Sequence, residues 1–293
     1  MRIGLQVPRF TWPGGAPRIR ETLAEIARAA EVAGFYSLWV MDHFFQIRGV
    51  GEIDEPMLEG YTTLAYMAGL TEKVKLGTLV SGVVYRKPAL VVKEATTLDV
   101  LSGGRAYLGI GAAWNEREAL GLGFDFPPRK VRFEWLEETL RIAHLLWSGK
   151  VGVFHGKHFR LEETLNSPQP ISKPHPPIMV GGGGERKTLR LAAQYGDACN
   201  LFSGQGIETL KHKLDVLKHH CEELGRAYDE IEKTTLGTIH LAPGAMSAAE
   251  VVGLCRDLAG VGIQHAIFYL PNVHEIEPLR TFAREIVPEV GAF

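Results

Sequence analysis

This 293-residue chain offers little that would suggest cross-linking, membrane insertion or polyanion binding. Its three cysteines, Cys199, Cys221 and Cys255, are odd in number and far apart, which fits neither a disulfide framework nor a zinc ribbon, so they read as packed thiols. No apolar run approaches the ~18 residues that a membrane helix needs, and RIGLQV follows Met1 without a basic, then apolar leader. The expectation is a cytoplasmic protein with no membrane partner. With 32 basic against 34 acidic side chains, a formal charge of −2 and only short like-charged blocks, no footprint for nucleic acid stands out. What remains is an ordinary globular composition, 45% apolar and 23% charged, in a chain long enough for one large core.

Short apolar or β-branched runs alternate with longer amphipathic ones, the pattern of a parallel sheet with crossover helices. Strands are expected at residues 2–7, 35–41, 74–80, 105–111, 177–181, 197–202, 234–241 and 263–270. Ile19, Leu23, Ile26 and Ala30 form one helical stripe, and Leu136, Leu140, Ala143 and Trp147 another. Gly34 and Gly149 sit where helices should stop, and Pro88 and Pro127 or Pro128 where two should start. Eight strand–helix pairs favour a closed (β/α)₈ TIM barrel, an α/β fold, over an open doubly wound sheet, with residues 1–293 as one domain. Residues 150–176 break the alternation. They read as an inserted lid or a small hairpin turning at Gly156.

A barrel directs attention to the C-terminal ends of its strands. Polar and glycine residues collect there: Gln6, Asp42, His43, Ser81, Trp114, Asn115, Gly181 to Gly184, Asn200, His240 and Tyr269. The strongest signal is IMVGGGGERKTLRL, a strand, four glycines and then a helix. Backbone amides without a Cβ beside them, facing the positive end of a helix, make a phosphate cradle, with Arg186 or Lys187 able to help. A strained barrel turn is the plainer alternative. No Lys-Ser or Lys-Thr follows at Walker spacing, and the next strand ends in Asn200 and Phe202 where a dinucleotide fold would offer a carboxylate.

Asp42 and His43 close WVMDHF at the mouth of the second strand. No His-x-His occurs in the chain, which argues against a metal hydrolase. A proton-handling pair in which the carboxylate tunes the imidazole fits better, beside a purely structural His43. Gly109 and Gly111 in YLGIGAAWNERE suggest cleared volume for a flat ring, with Trp114 either at that site or in the core. Arg86 reads as a surface charge, and the His219–His220 pair as solvated.

Taken together, WVMDHF, LGTLVSGVVYRKPALVVKEATTLDVLSGGR, GIGAAWNERE and VGGGGERKTLRLAAQYGDACN resemble the luciferase-like monooxygenase family, and more narrowly its branch of coenzyme F420-dependent oxidoreductases. The likeness runs in order over residues 1–205. It implies a barrel with an insertion, a flavin-like ring across the mouth, its phosphate on Gly181, Gly182, Gly183, Gly184 and Glu185, and Asp42 and His43 at the reaction centre. Asn115 and Asn200 would add polar contacts, and Phe44, Phe45, Tyr61 and Trp114 substrate-side walls. A non-prolyl cis peptide is implied between Leu79 and Val80, beside Ser81. Sugar-phosphate dehydrogenases of the family place a glutamate acid just after the fourth strand, where this chain has Trp114; Glu116, Glu118 and Glu59 are acid candidates by placement alone. The expected function is hydride transfer between F420 and a small organic substrate in a homodimeric enzyme. The alternatives are an FMN monooxygenase and a non-catalytic flavin or F420 carrier.

Overall fold

Apolar segments covered on both faces become strands. In the computed structural model, which describes residues 1–293, these are β1 (Arg2–Val7), β2 (Ser37–Val40), β3 (Lys75–Thr78), β4 (Ser81–Gly82), β5 (Ala106–Gly111), β6 (Phe154–His155), β7 (Arg160–Leu161), β8 (Ile178–Gly181), β9 (Ala198–Phe202), β10 (Glu232–Thr238) and β11 (His265–Tyr269). All but β6 and β7 join one nine-stranded sheet in the order β3-β2-β1-β11-β10-β9-β8-β5-β4, and a further β3–β5 pairing closes it. Every pairing in that sheet is parallel, for example Gly4 with Ser37 on one side and with Ile267 on the other. Since β4 resumes the line of β3 after a two-residue break, the nine strands make the eight staves of a (β/α)₈ barrel.

The covering helices include α1 (Ala16–Val32), α2 (Gly60–Ala68), α3 (Pro88–Leu101), α4 (Glu116–Gly121), α5 (Arg129–Trp147), α6 (Thr188–Tyr195), α7 (Ile207–Leu224) and α8 (Ala248–Gly260). Both amphipathic stripes face inward: Ile26 and Ala30 of α1, and Leu136, Leu140 and Ala143 of α5, have no exposed surface. Gly34 ends the first stripe at φ 84°, a conformation that a Cβ would strain. All three cysteines are free and buried.

Two expectations change. The strand expected at 74–80 stops at Thr78, and the Leu79–Val80 peptide that follows is cis. Gly109 has a different reason from the cleared volume inferred for it. A Cβ there would fall on the carbonyl oxygen of Thr78, and Cβ atoms at Gly111 and Gly181 would meet Val80 at 3.0 and 2.7 Å. Gly109 thus admits the neighbouring chain rather than a ligand, while Gly111 and Gly181 make room for Val80 and also line the cavity at the strand ends.

Residues 150–176 do contain a hairpin, β6 paired antiparallel with β7, and the Glu138 carboxylate of α5 accepts the amides of Lys157, His158 and Phe159 across its turn. The segment is not a lid. It connects a helix C-terminus to the next strand, so it starts from the N-terminal end of the barrel, opposite the C-terminal ends of the strands. There it packs on α3 and α5 through Asn166 on Thr96, Gln169 on the Leu146 carbonyl and Ser172 on Asp99.

Candidate active site

The C-terminal ends of the strands enclose a cavity of about 870 Å³. Gln6, His43, Leu79, Val80, Ser81, Trp114, Gly181, Gly182, Asn200 and Tyr269 line it. Eight staves converging on one axis bring together residues up to 263 positions apart, from Gln6 to Tyr269. Trp114, 62% exposed, stands edge-on to the His43 ring with centroids 5.4 Å apart. Phe44, Phe45 and Tyr61 do not reach the cavity. Phe44 packs on Tyr85 and Phe124, Phe45 lies beside Gly121, and Tyr61 is buried under the Arg86 guanidinium. Asn115 also lies outside the lining, where it caps α4 by accepting the Glu118 amide.

The partner of His43 is not its neighbour in sequence. Asp42 is 2% exposed and accepts two bonds from Arg86, at 2.5 and 3.0 Å, away from the cavity. Met41 and His43 line the cavity and Asp42 between them does not, so only one of the pair faces the opening. Arg86 is not a surface charge: its side chain is 7% exposed and contacts Asp42, Glu59 and Glu94. Burial, with Glu59 and Asp42 nearby and Arg86 opposing, pushes Glu94 up to about 7.

The carboxylate that serves His43 is Glu118, from the first turn of α4 and with no exposed surface. It accepts His43 Nδ1–H at 2.6 Å, the Tyr85 hydroxyl at 2.7 Å, the Phe45 amide at 3.0 Å and the Phe44 amide. Burial alone would raise its pKa, but the bonds from His43, Phe45 and Tyr85 outweigh that and hold it below the usual carboxylate range. A carboxylate so saturated cannot act as an acid toward a ligand. It fixes the imidazole with its proton on Nδ1 and presents Nε2 at the cavity wall. The pattern Asn-x-x-Glu, a cap followed by an acid in the first turn, was readable in WNERE as a helix start. Its reach back to His43 was not.

At the opposite rim the four glycines turn from β8 toward α6. Gly182 adopts φ 116° and its amide is paired with the Asn200 carbonyl, whereas the amides of Gly183, Gly184, Glu185, Arg186 and Lys187 donate to no protein group. The helix begins at Thr188, after a further turn, rather than directly at the last glycine. Two α7 side chains fasten this loop: Lys213 donates to the Glu185 carboxylate at 2.6 Å and His220 to the Glu185 carbonyl at 2.8 Å. His220 is therefore not solvated, and the Glu185 side chain is drawn to α7, leaving only its amide for an anion. Asn200 is 4% exposed and donates to Thr234, so it holds β9 to β10 at the cavity floor. Unpaired amides beside the positive end of a helix are the donor set an anionic phosphate requires. No cluster of His, Cys, Asp or Glu suited to a metal is present, and no helix is long and apolar enough to cross a membrane.

Comparison with known proteins agrees with this geometry. The family model described as luciferase-like monooxygenase matches residues 1–285. The F420-dependent glucose-6-phosphate dehydrogenase of Kineococcus radiotolerans is 32% identical over 72% of this chain and 61% of its own length. The pyrimidine monooxygenase RutA of Acinetobacter baylyi is 30% identical over 69% of this chain and 55% of its own. The matches thus span about three fifths of these relatives' lengths. The solved structure of an F420-dependent secondary alcohol dehydrogenase with an F420-acetone adduct superimposes with a TM-score of 0.83 over 99% of this chain and 98% of that one, at 20% identity, and so speaks for the fold. By its match along nearly the whole sequence, the chain belongs to the luciferase-like monooxygenase family.

Proposed function

We propose that the chain is an oxidoreductase that binds coenzyme F420 in the mouth cavity and transfers hydride between its ring and a small organic substrate. One observation carries the reading: an open cavity of about 870 Å³ runs from a histidine with a free Nε2 to Gly181 and Gly182, the start of a turn whose next five amides are unpaired. That volume suits a tricyclic ring together with a small substrate. The free amides from Gly183 to Lys187 suit its phosphate. Relatives about one third identical and named F420-dependent support F420 over other phosphate esters of flavin shape. The residues present fit the group.

When bound, the cofactor supplies the two-electron chemistry. The chain supplies the setting. The Gly183–Lys187 amides hold the phosphate, while Leu79, Val80 and Trp114 wall the ring and exclude water. His43 Nε2 accepts or returns the proton that accompanies hydride transfer, with Glu118 stabilising the imidazolium formed. Because Glu118 is saturated by donors and Asp42 is tied to Arg86, His43 is the proton carrier of this cavity.

FMN is the second reading, favoured by the likeness to a pyrimidine monooxygenase. Absorbance titration of the purified protein with F420 and with FMN separates the two. F420 is expected to bind more tightly and to displace FMN; tight FMN binding with oxygen uptake on reduction overturns the F420 reading. Gly183→Asp sharpens the test. A Cβ at Gly183 meets nothing closer than Lys213 at 3.7 Å, so the variant should fold, yet it adds a negative charge to the loop whose free amides would take the phosphate. Affinity for both cofactors should fall by at least about 100-fold. An unchanged titration removes the cradle.

A further inference from the structure

The chain as a whole carries a formal charge of −2, but its cavity does not share that balance. No aspartate or glutamate is among the residues lining it, and the charged side chains that do line it are Arg48 and Arg129. Neither guanidinium has an ion-pair or hydrogen-bond partner in the chain, whereas Arg9 is paired with Glu55 and Arg86 with three carboxylates.

Both arginines sit on well-anchored supports. Arg48 follows Ile47, whose carbonyl accepts the amides of Val50 and Gly51, and Gln46 ties the same loop to the Pro8 carbonyl. Arg129 opens α5, and one turn on Arg132 donates to the Ala113 carbonyl at 2.6 Å, fastening that helix start to the loop that carries Trp114. The first turn of α5 has no acidic residue, so the positive end of the helix adds to the field of Arg129 instead of cancelling it. A cleft lined by one sign of charge between low-dielectric walls concentrates that potential. Guanidinium is the group whose flat donor fork matches carboxylate and phosphate oxygens.

We propose that Arg48 and Arg129 form a second anion-binding locus of the cavity, carried by the β2 and α5 ends rather than by the β8–α6 turn, which takes a carboxylate or phosphate group. It rests on the cofactor reading only in assigning the cofactor's own phosphate to the glycine cradle. The anion has two sources, a carboxylate of the F420 tail or an anionic group of the substrate.

The test uses the full chain and the double variant Arg48→Gln/Arg129→Gln, whose exposed positions leave folding intact, with a matched melting temperature as the check. F420 and FMN are titrated into each protein by absorbance. Each loaded protein is then titrated with inorganic phosphate against chloride at equal ionic strength, read by the ring spectrum. If the anion belongs to the cofactor, F420 affinity falls about tenfold or more in the variant and FMN affinity stays within about twofold. If it belongs to the substrate, both cofactor affinities hold, and phosphate perturbs the loaded native protein saturably but not the variant. Equal weakening of both cofactors, or no change in either with no phosphate response in the native protein, overturns the proposal. Should neither cofactor bind the native protein, the cofactor reading fails on its own. The arginine locus is then judged by the phosphate response of tryptophan fluorescence, whose equality in native and variant proteins overturns it.

Discussion

Each end of the barrel holds a histidine clamped by a glutamate, and the two differ in what the second ring nitrogen meets. At the floor, His265 has no exposed surface. Its Nδ1 bonds Glu232 at 3.0 Å and its Nε2 meets Ser37 Oγ at 2.8 Å, while Trp39, Tyr107 and Arg2 complete the network. At the mouth, Glu118 holds His43 Nδ1 and nothing in the chain holds Nε2. The chain contains a Ser–His–Glu constellation at the floor, yet with Ser37 and His265 fully buried and with the Trp39 indole already donating to Ser37 Oγ at 2.6 Å it is a core network. Side-chain chemistry is the same at both ends. Access to a ligand distinguishes them.

The largest effect expected from that contrast is on turnover. His43→Ala should lower kcat by about 10²–10⁴-fold, the usual loss of a general acid–base, with cofactor affinity and melting temperature close to native. Equal loss of turnover in His265→Gln, in protein shown to be folded, would erase the distinction between the two ends.

Next is stability at the floor. Glu232→Ala leaves His265 and Tyr107 without their buried acceptor and should destabilise by about 3 kcal/mol, the low end for a broken buried pair because Arg2 is half-exposed. Urea midpoints measure it, and turnover of the folded fraction should stay native.

Glu118→Gln should come third. The amide still caps the Phe44 and Phe45 amides but cannot stabilise imidazolium, so kcat should drop roughly 10–100-fold with the pH profile displaced and KM little changed. A drop in stability without displacement of the profile would make Glu118 a purely structural residue.

The smallest effect sets the two ends against each other in pH. Burial holds His265 below its ordinary 6.5, against the pull of Glu232, so its contribution is present above about 6.5 and is lost as pH falls from there. Glu94, beside the mouth, is pushed up to about 7 from an ordinary 4.5, so its contribution is present below 4.5 and is lost as pH rises through about 7. Glu94→Gln should therefore be more stable than native at pH 8 by about 1 kcal/mol after solvent screening of a partly exposed group. His265→Gln should flatten the slope of stability against pH below 6.5. Chemical denaturation at several pH values reads both, and parallel slopes in all three proteins would contradict the assignments.

Much of the barrel was legible because local rules decide it. Alternating apolar runs gave the staves within a few residues, Ile26 and Leu140 announced buried faces by their spacing, and Gly34 marked a helix end. The glycine run was legible for the same reason, since four positions without a Cβ between a strand and a helix limit what the backbone can do there. Other features were misread where the deciding contact lies far along the chain. Asp42 looked like the partner of His43 because it is adjacent, but its carboxylate is held by Arg86, and it is Glu118, 75 positions from His43, that holds the imidazole. Gly109 looked like room for a ligand and is room for the Thr78 carbonyl. His220 looked solvated and fastens the cradle. The 150–176 segment looked like a lid because it is long, although helix-to-strand connections start from the face away from the site.

By itself, then, the sequence determined periodicity, helix ends, the glycine turn and the absence of metal-ligand spacing, because these depend on neighbours within a turn or a strand. Tertiary structure decided which carboxylate holds which histidine, which arginines are buried in ion pairs and which are left free, and which end of the barrel is open. Those outcomes depend on how eight staves close around an axis, and closure brings together groups whose separation in sequence carries no trace of their distance in space.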